Sequence, residues 1–93
     1  MTPLDHIAQK IIEEQELIIG PLAWSEAAKV AGLSVDAAKK TVSISGDQKV
    51  VVDALVAQYE RLFGRASHEA CRDAVASLLA SMPMGEVPSS LRV

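Results

Sequence analysis

Glycine and proline punctuate this chain more firmly than any other residues: Gly20-Pro21, Gly32, Gly46, Gly64 and Pro83 interrupt an apolar-rich sequence at short intervals. Each interval has room for one helix or one hairpin, so no long rod and no large sheet can form. At 93 residues and 9.9 kDa, the segments must share a single modest core, which leaves no space for a cofactor domain beside a substrate domain. The expected organisation is one helix-rich domain over residues 1–82 followed by an extended tail over 83–93.

Within those limits, apolar periodicity assigns the elements. Thr2-Pro3-Leu4-Asp5 reads as a helix start, with Thr2 as cap, Pro3 at the first helical position and Asp5 at the amide-rich end. Leu4, Ile7, Ala8, Ile11 and Ile12 recur at helical spacing, and Leu17, Ile18 and Ile19 extend the apolar side as far as Gly20. The intervening Glu13, Glu14, Gln15 and Glu16 read as a solvated face. Pro21 opens a second helix whose small face, Leu22, Ala23, Trp24, Ala27, Ala28 and Ala31, suits close packing, with Trp24 as a core anchor and Gly32-Leu33 as the stop.

Residues 33–45 suit either of two structures. Ser34-Val-Asp-Ala-Ala-Lys-Lys40 would make a short capped helix, whereas Leu33-Ser-Val35 and Thr41-Val-Ser-Ile-Ser45 alternate as strands. The β-branched residues favour a hairpin, which needs an apolar face on the helices, here Val35, Val42 and Ile44. Gly46-Asp47 then caps a third helix with the stripe Val51, Val52, Leu55, Val56, Tyr59, Leu62 and Phe63, ended by Gly64. Ser67 caps a fourth helix running to about Met82, with Cys71, Ala74, Val75, Leu78, Leu79 and Met82 inward and Glu69, Arg72 and Asp73 outward. The fold class is therefore mainly α, a small α+β domain of four helices with a short hairpin between helices two and three.

Nine Lys and Arg against twelve Asp and Glu give a net charge of −3, the wrong sign for binding nucleic acid mainly through phosphates. Only residues 21–46 are net positive. Cys71 is the single cysteine, which excludes an intramolecular disulfide and fits a reduced, cytoplasmic setting. The first twenty residues alternate apolar with charged side chains, unlike a signal peptide, and no apolar run approaches the roughly 20 residues of a membrane span, so no membrane partner is expected.

The segment Glu26-Ala27-Ala28-Lys29-Val30-Ala31-Gly32-Leu33-Ser34-Val35-Asp36-Ala37-Ala38-Lys39-Lys40-Thr41-Val42 resembles the helix-turn-helix of bacterial DNA-binding proteins of the lac-repressor and mercury-regulator types. The resemblance implies that Ala28 lets two helices cross, Gly32 makes the turn, Leu33 packs beneath it, Ser34 caps a recognition helix and Ala38 faces inward. It also implies that Val35, Asp36, Lys39 and Lys40 face DNA. The segment departs from the pattern in running into strand-like residues 41–45 and in carrying no arginine or asparagine suited to base edges.

His68 and Cys71, three apart near a helix start, are the only pair that invites catalytic chemistry, because a helix N-terminus lowers a thiol pKa. A cysteine nucleophile also needs an oriented base and oxyanion donors, which nothing marks, so a structural thiol beside a surface histidine is the expected arrangement. One cysteine with His6 and His68 cannot complete a zinc shell without carboxylates, and no glycine-rich loop has the spacing of a nucleotide cradle. No catalytic residue, metal or cofactor is expected.

Hydrophobic residues make up 49% of the chain, more than four short helices easily hide. A homodimer would cover the surplus, through Val50, Val51, Leu55, Tyr59 and Leu62 on the third helix, or through Ile7, Ile11 and Ile18 on the first. The expected function is a non-enzymatic interaction or regulatory module that binds a protein partner or itself through an apolar helical face. A DNA-binding regulator using residues 26–42 is the alternative.

Overall fold

A computed structural model describes residues 3–80, 82, 83, 85 and 87–91. In chain order it contains helix α1 (Pro3–Ile19), helix α2 (Leu22–Ala27), strands β1 (Leu33–Asp36) and β2 (Thr41–Ile44), helix α3 (Gln48–Phe63), helix α4 (Arg65–Leu79) and a 3₁₀ turn (Ser89–Leu91). The mainly helical domain with an antiparallel hairpin between its second and third helices is the architecture that periodicity predicts.

The first helix begins at Pro3, where a residue without an amide hydrogen loses no bond, and ends at Gly20. Gly20 takes φ +74° and its amide bonds the Glu16 carbonyl at 2.8 Å. The expected Thr2 cap lies outside the described residues. The core face is Leu4, Ile7, Ala8, Ile11 and Ile12, all buried, and Gln15 continues it. Gln15 thus departs from the solvated face expected for residues 13–16: it is fully buried, and its Nε2 donates to the Ser67 carbonyl at 3.2 Å and to Cys71 Sγ at 3.5 Å. The helical period, counted from Leu4, Ile11 and Ile12, carries it inward against α4.

The second helix is shorter than its apolar face suggests, closing at Ala27 so that Ala28 and Ala31 are exposed and Leu22 is 46% exposed. What it buries is Ala23, Trp24 and Ala27, and the Tyr59 hydroxyl donates to the Ala23 carbonyl at 2.6 Å, fixing α2 on α3.

The hairpin pairs Leu33 with Ile44, Ser34 with Ser43, Val35 with Val42 and Asp36 with Thr41. Lys40 sits at φ +55°, a left-handed conformation that a helix over 34–40 would exclude, and the Asp36 carboxylate accepts the Lys39 amide at 3.1 Å to close the turn. Leu33 and Val42 are buried, while Val35 and Ile44 pack partly buried against the core. The buried Asp5 carboxylate of α1 accepts the Ile44 amide at 3.2 Å, tying β2 to the start of α1. Lys40 pairs with Glu16 at 3.0 Å near the other end of that helix. Two-stranded hairpins are marginal alone; this one is stabilised by the helix beneath it.

Asp47 caps α3 as expected, its side chain accepting the Lys49 and Val50 amides. The fourth helix differs from expectation at both ends. It starts at Arg65 directly after Gly64 without a side-chain cap, and Ser67 is a buried residue of its first turn rather than the cap. Its last helical residue is Leu79, and Leu78 points out at 40% exposure. Beyond it the tail folds back: Val87, Pro88 and Leu91 are buried, with the 3₁₀ turn on α3 and α4. The expected extended tail is, over residues 87–91, part of the core.

Candidate functional site

The helices sort the apolar surplus into covered and uncovered residues. Val51, Leu55 and Tyr59, expected at a partner interface, are 6%, 0% and 0% exposed, and Ile7 and Ile11 are equally buried. The α3 stripe is wide because α1, α2, α4 and the 3₁₀ turn all pack on α3, so the domain itself uses the area a dimer was expected to cover. Of the predicted interface, Val50 and Leu62 remain exposed, at 62% and 45%.

Of the first-helix candidates Ile18 alone stays exposed, and it has neighbours that periodicity did not single out as an interface, Leu17 and Leu22. Leu17, in the last turn of α1, is 81% exposed, Ile18 is 62% exposed, and Leu22 opens α2 two residues past Gly20. Gly20, at φ +74°, turns the chain between α1 and α2, and Leu17, Ile18 and Leu22 stand exposed around that turn. Gln15 joins this end of α1 to the first turns of α4, and α4 follows α3 directly at Gly64, so Leu62 lies at the same end of the bundle. A detectable signal was the run Leu17-Ile18-Ile19 itself, since three adjacent residues of a helix span more than one face.

His68 and Cys71 do lie near each other in the chain but perform separate structural tasks. Cys71 is fully buried, and burial pushes its thiol up to about 11, opposite to the lowering a helix N-terminus would provide. His68 Nδ1 lies 2.9 Å from Glu60 Oε2, and its Nε2 lies 2.5 Å from the Ser90 carbonyl oxygen. Glu60, Arg65, His68, Glu69 and Arg72 line an open polar cleft of about 370 Å³. His6 is exposed at the far end of α1. Among the described residues no group of three or more histidine, cysteine, aspartate or glutamate side chains is placed to hold a metal ion.

The residues implied by the helix-turn-helix resemblance fall on the hairpin: Val35 and Asp36 on β1, Lys39 and Lys40 in the turn, where a recognition helix would have to be. Leu33 is buried as the first residue of β1, and Ala28 and Ala38 are exposed. Glu26 is buried, accepting from Lys29 Nζ at 3.0 Å and Gln58 Nε2 at 2.9 Å. The Lys29 bond, more than the opposing desolvation, holds its carboxyl below the usual range.

The fold is thus that of a small four-helix domain with an inserted hairpin and an apolar corner at the α1–α2 turn. No family model matches the chain, and neither a curated protein nor a solved structure matches it. None of its helices, among the described residues, is long and apolar enough to cross a membrane.

Proposed function

We propose that the chain is a non-enzymatic interaction module that binds a protein partner, or a second copy of itself, through the apolar corner formed by Leu17, Ile18 and Leu22. The observation that supports this reading is the exposure of all three at 81%, 62% and 46% within six residues of sequence, beside a core that buries Leu4, Ile7, Ile11 and Ile12 of α1. A non-enzymatic role is further supported by the engagement of Cys71 with Gln15 and of His68 with Glu60 and Ser90. Docking on DNA through Val35, Asp36, Lys39 and Lys40 has less behind it: Lys40 is paired with Glu16, and the chain carries a net charge of −3.

Sedimentation equilibrium of the wild type and of Leu17→Glu/Ile18→Glu tests the self-association. The expected result is a wild-type dimer whose thermal melt rises with concentration and a folded monomeric variant whose melt does not, since neither side chain belongs to the core. A wild type that stays monomeric up to about 1 mM, the limit of weak association at about 4 kcal/mol, overturns self-association. A variant that associates like the wild type overturns the placement at this corner.

A further inference from the structure

We propose that His68 is a proton-operated latch for the C-terminal segment: its imidazolium ties the Ser90 carbonyl to Glu60 of α3, and the 3₁₀ turn loosens when that proton leaves. The argument is geometric. Both partners of the ring, a carboxylate oxygen at 2.9 Å and a backbone carbonyl oxygen at 2.5 Å, only accept hydrogen bonds. A neutral imidazole has one N–H, so either tautomer would leave a nitrogen lone pair facing an oxygen at bonding distance. Only the doubly protonated ring satisfies both contacts.

Among the described residues the tail has other polar ties to α3, one of them from Lys49 Nζ, which donates to the Gly85 carbonyl at 2.7 Å. Ser90 is held from its other side by Asp53 Oδ1, which accepts the Ser90 amide at 2.9 Å and the Ser90 hydroxyl at 2.5 Å. Val87, Pro88 and Leu91 supply the buried apolar contacts. The charges around the ring come from several elements: Glu60 from α3 favours the proton, Arg72 on α4 itself opposes it, and Arg65 and Glu69 line the same cleft. The α1 helix meets this part of α4 through the neutral Gln15. The hydrogen bond to Ser90, then that to Glu60, raises His68 above its usual range against the opposing effect of burial. A group raised on folding stabilises the folded arrangement fully below its unfolded value, about 6.5 for histidine, and ceases to do so as pH rises through the raised value. The turn is therefore held most firmly below about pH 6.5 and loosens as pH rises through the raised His68 value, so that the α3 and α4 surface beneath Val87, Pro88 and Leu91 is uncovered more often.

Nuclear magnetic resonance on the isotope-labelled full chain tests this, reading His68 ring nitrogen shifts and Ser90 amide exchange, corrected for intrinsic base catalysis, from about pH 5 to about pH 9. The expected result is a His68 titration above the free-histidine value, with Ser90 protection falling about tenfold over the same interval, as loss of one charge-assisted hydrogen bond implies, while the Tyr59 amide is unmoved. Glu60→Gln should shift both midpoints downward together, and His68→Gln should abolish the step. A His68 titration at or below the free-histidine value, a Ser90 protection flat across it, or midpoints unmoved by Glu60→Gln overturns the latch. The Glu60 side chain is 41% exposed, so that variant leaves the core intact and decides the matter even where His68→Gln does not fold.

Discussion

Replacing Gly32 by alanine should destabilise the domain more than its surface position suggests. Gly32 has φ +86°, and a Cβ built on it would lie 2.8 Å from Val51 Cγ2 and 2.9 Å from the Ser45 carbonyl oxygen. Two costs add. A non-glycine residue in the left-handed region costs roughly 1–2 kcal/mol, and forcing a methyl group into an occupied space costs about 1–3 kcal/mol. The second cost cannot be relieved by a flexible side-chain tip alone. The Ser45 oxygen is backbone, and the Ser45 amide closes the hairpin on the Gly32 carbonyl at 2.7 Å, so moving it pulls the end of β2 away from the start of α3. The reduced freedom of the unfolded alanine chain offsets about 0.4–1 kcal/mol, leaving a loss of about 1–5 kcal/mol with a central value of about 3 kcal/mol. For a domain of this size that lowers the melting temperature by about 10–20 °C. The control is Gly20→Ala, at φ +74° with nothing within 4 Å of the added Cβ, which carries the conformational cost alone, about 1 kcal/mol. Urea unfolding followed by circular dichroism measures both. A Gly32→Ala loss no larger than that of Gly20→Ala would refute the claim that the hairpin and α3 approach each other through this glycine.

Asp47→Ala should cost about 1 kcal/mol by orphaning the Lys49 and Val50 amides, and Asp47→Ser should restore most of it; equal stability of wild type and Asp47→Ala in urea melts would show that α3 needs no cap. Cys71 should be unreactive toward a thiol reagent at neutral pH except at the rate of unfolding, because the thiol is buried and raised to about 11. An acid whose folded value is raised keeps its contribution to stability below its unfolded value, about 8.5 for cysteine, and loses it as pH climbs toward the folded one. Cys71→Ser should therefore flatten part of the alkaline fall in stability, and rapid labelling of native protein would contradict the burial.

How much of this was legible beforehand differs by element. Pro3, Gly20, Asp47 and Gly64 mark helix ends through backbone conformation or a short-range side-chain bond, so the boundaries of α1 and α3 follow from a few adjacent residues. The hairpin was legible because Val35, Thr41, Val42 and Ile44 are stiff at χ1 and fit a pleated surface. Ser67 misled because a serine near a helix start is a cap by type, whereas Gly64 had already opened α4. The candidate site was legible only in part: an apolar surplus was evident, but Val51, Leu55 and Tyr59 looked as available as Leu17 and Ile18 until the positions of α2, α4 and the 3₁₀ turn assigned them to the core.

Sequence alone determined the local, short-range features of this protein: the succession of elements, the turn glycines and the net charge of −3. These depend on dihedral preference, capping and periodicity, which act over a few residues. Tertiary structure alone decided which apolar faces find a partner within the chain. It put Gln15 against Cys71, folded Leu91 back onto α3 and α4, and brought His68 between Glu60 and Ser90. Those contacts join residues 56, 8 and 22 positions apart in the first and last two pairings. No local preference encodes such distances; they follow from how helices of given length pack around one core.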